Sequence, residues 1–125
     1  MAHNFDDYFS AYAKAYDDFD AQRLAAFFYV PTLMVKTGSV TALVTQDTLS
    51  HYLENLVESY RQHGYYKGTI ASIEATQWGT WSALVTVHWI IKRNDASILC
   101  DLDSSYNLFK VAENWKILAT TNHDS

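Results

Sequence analysis

The chain has 125 residues, of which 49% are apolar and 15% aromatic, enough to fill a real interior and too apolar for a disordered segment. Nine Lys and Arg against fourteen Asp and Glu leave a net charge of −5, and no basic cluster interrupts the acidity. Nucleic acid and anionic membrane surfaces are therefore excluded as expected partners, since both need concentrated positive charge.

Phe5, Tyr8, Phe9, Tyr12, Ala13 and Tyr16 fall at helical spacing and predict a first helix with an aromatic stripe. The cluster Asp17-Asp18-Phe19-Asp20 interrupts it, and Asp20 is placed to cap a short second helix carrying Leu24, Phe27 and Phe28. Pro31 is expected to end that helix, because proline lacks the next backbone donor. Two short strands, Thr32 to Lys36 and Val40 to Val44, then turn across Gly38. Thr45 or Asp47 caps a third helix whose apolar stripe is Leu49, Tyr52, Leu53, Leu56, Val57 and Tyr60, stopped by Gly64. From Tyr65 onward the period changes to that of strands. Thr80 to Lys92, Ser97 to Val111 and Trp115 to Asn122 alternate between two faces.

Helices followed by a strand meander predict an α+β domain spanning residues 1–125, with helices on one face of a curved antiparallel sheet. A hairpin turn at Asn94-Asp95 that sets Arg93 opposite Ala96 brings His88 opposite Asp101 and Thr86 opposite Asp103. One face is then nearly all apolar, through Val85, Val87, Trp89, Cys100 and Tyr106. The other gathers His88, Asp101, Asp103, Ser105 and Asn107. That polar face is either a pocket lining or a solvent-facing surface.

This layout resembles the nuclear transport factor 2-like superfamily, the cone-shaped cystatin-like fold of SnoaL-like polyketide cyclases, ketosteroid isomerase and scytalone dehydratase. The resemblance covers essentially the whole chain. It rests on Tyr16-Asp17-Asp18-Phe19-Asp20 with Arg23-Leu24-Ala25, on Pro31-Thr32-Leu33, on the third helix and on Asn114-Trp115-Lys116-Ile117. It implies a strongly curved, antiparallel or mixed sheet with three helices from the N-terminal half packed on its concave face. It also implies a homodimer through the sheet, with Trp78, Trp81 and Trp89 as adhesive sheet material.

Within the superfamily the residues are most similar to the scytalone dehydratase pocket. Tyr16-Asp17 stand for its Tyr-Asp pair, His88 and His63 for its two histidines, and Ser105 and Asn107 for its serine and asparagine. Thr37 stands where its second tyrosine belongs. The resemblance implies acid–base dehydration or isomerisation of a flat apolar carbonyl compound, with Tyr16, Asp17, His88 and His63 catalytic. Tyr12, Asp103, Ser105 and Asn107 would line the pocket. Ketosteroid isomerase chemistry is rejected, because its base would fall near Lys36, which is no carboxylate.

Each residue also has a plainer reading. Asp17 suits a solvated helix end, and Tyr12 and Tyr16 suit a core. His88 suits a cross-strand pair with aspartate, and His63 the negative end of a helix dipole. The alternative function is a non-catalytic ligand-binding or dimerising domain of the same fold. His3, His51 and His123 lack ligand spacing, no Cys-x-x-Cys pair or glycine-rich phosphate loop occurs, and neither metal nor organic cofactor is expected. Cys100 is the sole cysteine and is expected to be an inert core thiol. With no signal-like opening or apolar span, the cytoplasm is the expected compartment.

Overall fold

The computed structural model describes residues 4–123; His3 lies outside them. Three helices come first: α1 (Asp6–Asp17), α2 (Ala21–Ala25) and, after a hairpin of β1 (Phe28–Lys36) and β2 (Ser39–Leu43), α3 (Gln46–Gln62). Four long strands follow, β3 (Tyr65–Trp78), β4 (Ser82–Arg93), β5 (Ile98–Val111) and β6 (Asn114–Asn122). They form one six-stranded mixed sheet in the order β2-β1-β6-β5-β4-β3, parallel only between β1 and β6. The expected α+β class and curved mixed sheet are what the chain adopts.

Local chemistry sets the boundaries. The Asp20 carboxylate accepts from the Arg23 N–H and starts α2. Thr45 starts α3 with a reciprocal capping box to Thr48, which decides between the two expected caps. Gly64 ends α3 at φ +87°, a backbone state that favours glycine.

Two expectations about α2 are corrected. The helix ends at Ala25, and Phe28 opens β1, which runs through Pro31. The strand tolerates proline because Pro31 falls where the β1–β6 register shifts, between Phe28 and Leu33, and before β2 pairing begins at Thr32.

The helices cover the concave face. Phe9, Leu24, Leu49 and Leu53 are fully buried against Val85, Val87, Leu108 and Ile117 of the sheet. Tyr12 sits at the centre, with the rings of Phe9, Phe27, Trp89 and Tyr106 within 6.2 Å. Among the described residues no helix is long and apolar enough to cross a membrane.

The β4–β5 register differs from expectation by two residues. The turn holds three residues rather than two, closing with Arg93 N–H on Ser97 O and Ala96 at φ +71°. A bulge between Ile91 and Lys92 adds a second shift. One shift alone would have turned every side chain to the opposite face; two restore the expected faces and move each pairing along by two. His88 therefore pairs with Asp103, Thr86 with Ser105 and Leu84 with Asn107.

Candidate functional site

Between the helices and the sheet lies a cavity of about 380 Å³, within the size range of small-molecule sites. Its sheet wall is the face that the alternation marked as apolar: Trp89 and Ile91 of β4, with Cys100, Leu102, Ser104 and Tyr106 of β5. Its helical wall is Tyr12 and Tyr16 of α1 with Tyr52, Leu56 and Tyr60 of α3. The stripe of α3 thus divides, with Leu49, Leu53 and Val57 buried in the core and Tyr52, Leu56 and Tyr60 on the cavity.

Six tyrosines line this space, and their hydroxyls are organised. The Trp89 Nε1–H donates to the Tyr106 hydroxyl at 3.0 Å, and the Tyr12 and Tyr16 hydroxyls meet at 3.5 Å. The Ser104 hydroxyl donates to Asn122 Oδ1 at 2.7 Å. Burial pushes the Tyr60 and Tyr106 phenols up to about 12, and raises Tyr12 and Tyr16 well above the ordinary phenol value. All four are neutral donors at physiological pH. Thr120 Oγ1, also on the wall, is buried without a hydrogen-bond partner among the described residues.

Asp17 stands behind this wall. Its Oδ1 accepts from the Tyr65 hydroxyl at 2.7 Å and from the Gly68 N–H at 3.0 Å, and Lys67 Nζ lies 3.5 Å from Oδ2. Burial and this hydrogen bond raise the Tyr65 phenol far above its usual range. Asp17 orients a cavity tyrosine and does not itself line the cavity.

The other sequence-derived residues divide sharply. Tyr12 and Tyr16 are on the cavity. His88, Asp103, Ser105 and Asn107 are on the opposite face of the sheet, away from the helices, so the expected Asp17–His88 pair does not form. His88 instead bridges two carboxylates, Nδ1 to Asp103 and Nε2 to Asp101, each at 2.7 Å. The Asp103 hydrogen bond first, and Asp101 with it, raises its pKa. Ser105 Oγ contacts Thr86 Oγ1 and His123 Nε2, both at 2.7 Å. His63 caps the C-terminus of α3 with Nδ1 2.7 Å from Ser59 O, is exposed, and does not line the cavity. Thr37 lies in the exposed β1–β2 turn.

The fold and the sequence now converge. A family model described as NTF2-like protein (DUF6841) matches residues 1–125. The chain belongs to this NTF2-like family. No curated protein matches the sequence. Solved structures similar to this NTF2-like chain include an NTF2-like protein with a cystatin-like fold from Novosphingobium aromaticivorans, at TM-score 0.74 and 12% identity over 93% of this chain and 76% of that one. A cystatin-like protein of unknown function from Nostoc punctiforme has TM-score 0.74 and 8% identity, covering 93% and 84%. An NTF2-like protein of unknown function from Shewanella oneidensis has TM-score 0.70 and 16% identity, covering 93% of each. At these identities the likeness is one of fold.

Several wall residues of this NTF2-like protein escaped the sequence reading, chiefly Tyr52, Tyr60, Tyr65, Tyr106, Ser104 and Asn122. A signal was present: phenols repeated in otherwise apolar stripes need either partners or a polar space. What was missing was which face of the sheet the helices stand off from.

Proposed function

We propose that this NTF2-like protein binds a small, flat, largely apolar molecule in the tyrosine-walled cavity, holding it by phenol and hydroxyl hydrogen bonds. The observation that carries this reading is a preformed cavity with apolar walls into which neutral donors and one unpartnered hydroxyl converge. The non-catalytic reading is favoured over dehydration or isomerisation. Among the described residues the cavity wall holds no imidazole and no carboxylate, whereas proton abstraction from carbon needs a base within reach.

The test is a thermal-shift and calorimetric screen of planar aromatic ketones, phenols and acids against wild type and Leu102→Trp, which fills the cavity. Binding to wild type that is lost in a folded Leu102→Trp protein supports the reading. Binding that survives the substitution places the ligand elsewhere and refutes it.

A homodimer across the face away from the helices belongs to the same proposal. Trp78 is half exposed, and Leu84 and Phe109 are each 36% exposed at one end of that face. Trp89, expected with Trp78 and Trp81 to serve as adhesive sheet material, instead lines the cavity. Light scattering across a dilution series tests it, with Phe109→Glu expected to leave a monomer; a wild-type monomer at all concentrations refutes it.

A further inference from the structure

The polar groups of the cavity are not spread evenly. In the β1–β6 ladder Met34 lies beside Thr120 and Val35 beside Thr121, and Lys36 and Asn122 each follow one residue beyond this last pair. Alternation puts Thr120, Asn122 and Lys36 on the cavity side, and all three line it. Ser104 donates to Asn122 Oδ1, which occupies the amide oxygen and orients the amide so that its N–H₂ side is the one that can donate to a ligand. Thr120 Oγ1 is buried without a partner two residues further in. Among the described residues Lys36, exposed at the mouth, is the one cation on the wall, and no carboxylate pairs with it. In a chain of net charge −5, an ammonium at the rim of an apolar cavity whose wall also carries an oriented amide has the charge and donors that suit a negative group.

We propose that the molecule bound in the cavity is a carboxylic acid with a flat apolar body, its carboxylate seated between Lys36 and the Asn122 amide and its body among the tyrosine rings. The inference rests on the reading of the cavity as a small-molecule site and adds the headgroup. A carboxylate accepts from both donors at once, and charge-assisted hydrogen bonds are about twice as strong as neutral ones. A primary amide of the same shape keeps the body contacts and loses the charge. The phenols, being protonated, add no repulsion. The orientation follows as well, with the carboxylate at the mouth and the apolar end directed toward Trp89 and Tyr12.

The experiment uses three matched pairs: benzoic acid and benzamide, 2-naphthoic acid and 2-naphthamide, anthracene-2-carboxylic acid and its amide. Affinities are measured at pH 7 by calorimetry, and cavity occupancy by protection of Cys100 from iodoacetamide. For the body that fits, the acid should bind roughly fivefold or more tighter than the amide, as expected of a charge-assisted contact at a partly exposed site. Lys36→Met should bring the ratio to near one without weakening the amide, and Lys36→Arg should keep the preference. Asn122→Asp should weaken the acid more than the amide. Equal binding of acid and amide to wild type, or an acid preference that persists in Lys36→Met, overturns the headgroup assignment while leaving the cavity reading standing. If no acid and no amide of any size binds or protects Cys100, the cavity reading falls and this inference with it.

Discussion

Gly68 offers the sharpest test of how the cavity wall is built. A Cβ at this position would stand 2.8 Å from the Tyr65 hydroxyl, although it would meet Asp17 Oδ1 at an ordinary 3.9 Å. The phenol has little room to yield: it is tied to Asp17 at 2.7 Å and flanked by the rings of Phe19 and Tyr60 at 5.6 and 5.4 Å. Gly68→Ala should therefore push Tyr65 off the carboxylate. Losing a hydrogen bond to a charged acceptor costs about 1.5–3 kcal/mol, offset by about 0.5–1 kcal/mol because alanine is better than glycine within a strand. The net expectation is a loss of about 1–2 kcal/mol, or about 4–8 °C in Tm for a chain of this length. Urea and thermal unfolding of Gly68→Ala, Tyr65→Phe and the double variant measure it. With the hydroxyl gone the methyl fits, so Gly68→Ala should be neutral or slightly stabilising in the Tyr65→Phe background. An equal cost in both backgrounds, or no cost in wild type, would refute the argument that the hydroxyl is what the glycine accommodates.

Other outcomes follow from separate features. Thr45→Ala removes the α3 cap and should cost about 1 kcal/mol in urea unfolding, whereas Thr45→Ser should cost little; equal losses would deny the cap its role. His88 faces Asp101 and Asp103 of β5 and Ser72 of β3, with Glu74 one pair along, and its raised pKa implies an imidazolium donating from both nitrogens. Its contribution is fully present below the unfolded histidine value of about 6.5 and is lost as pH rises through the higher folded value. An NMR titration should place the His88 midpoint above that of a free histidine, and Asp103→Asn should lower it; an unshifted midpoint contradicts the bridge. Burial raises the Cys100 thiol, so alkylation at pH 7 should run slower than for free cysteine and accelerate on unfolding. A rate equal to that of the free amino acid would show that the wall is open there.

Much of the architecture was legible because short-range chemistry writes it locally. Helical spacing of Phe9, Tyr12 and Tyr16, the caps at Asp20 and Thr45, Gly64 and the alternation from Tyr65 onward each depend on a few neighbouring residues. The proline was misleading for the same reason: Pro31 forbids a donor in a helix and equally fits a strand where the ladder shifts, and only pairing with β6 and β2 distinguishes the two. The β4–β5 pairing turned on one extra loop residue and one bulge, whose effects on side-chain facing cancel. The sequence therefore separated the two faces correctly and matched the partners two residues out.

Function lay beyond that limit. Local sequence determined that one sheet face was apolar and the other carried His88, Asp103, Ser105 and Asn107. Tertiary structure alone decided that the helices stand off from the apolar face far enough to leave a cavity, so Tyr52 and Tyr60 of the α3 stripe and Tyr106 of the apolar face became its lining beside Tyr12 and Tyr16, and the polar set turned away. Asp17 was drawn to Tyr65 and Gly68 rather than to His88, because the sheet lies between the two. Helix stand-off depends on side chains from α1, α3 and five strands packing at once, and no window along the chain contains that sum.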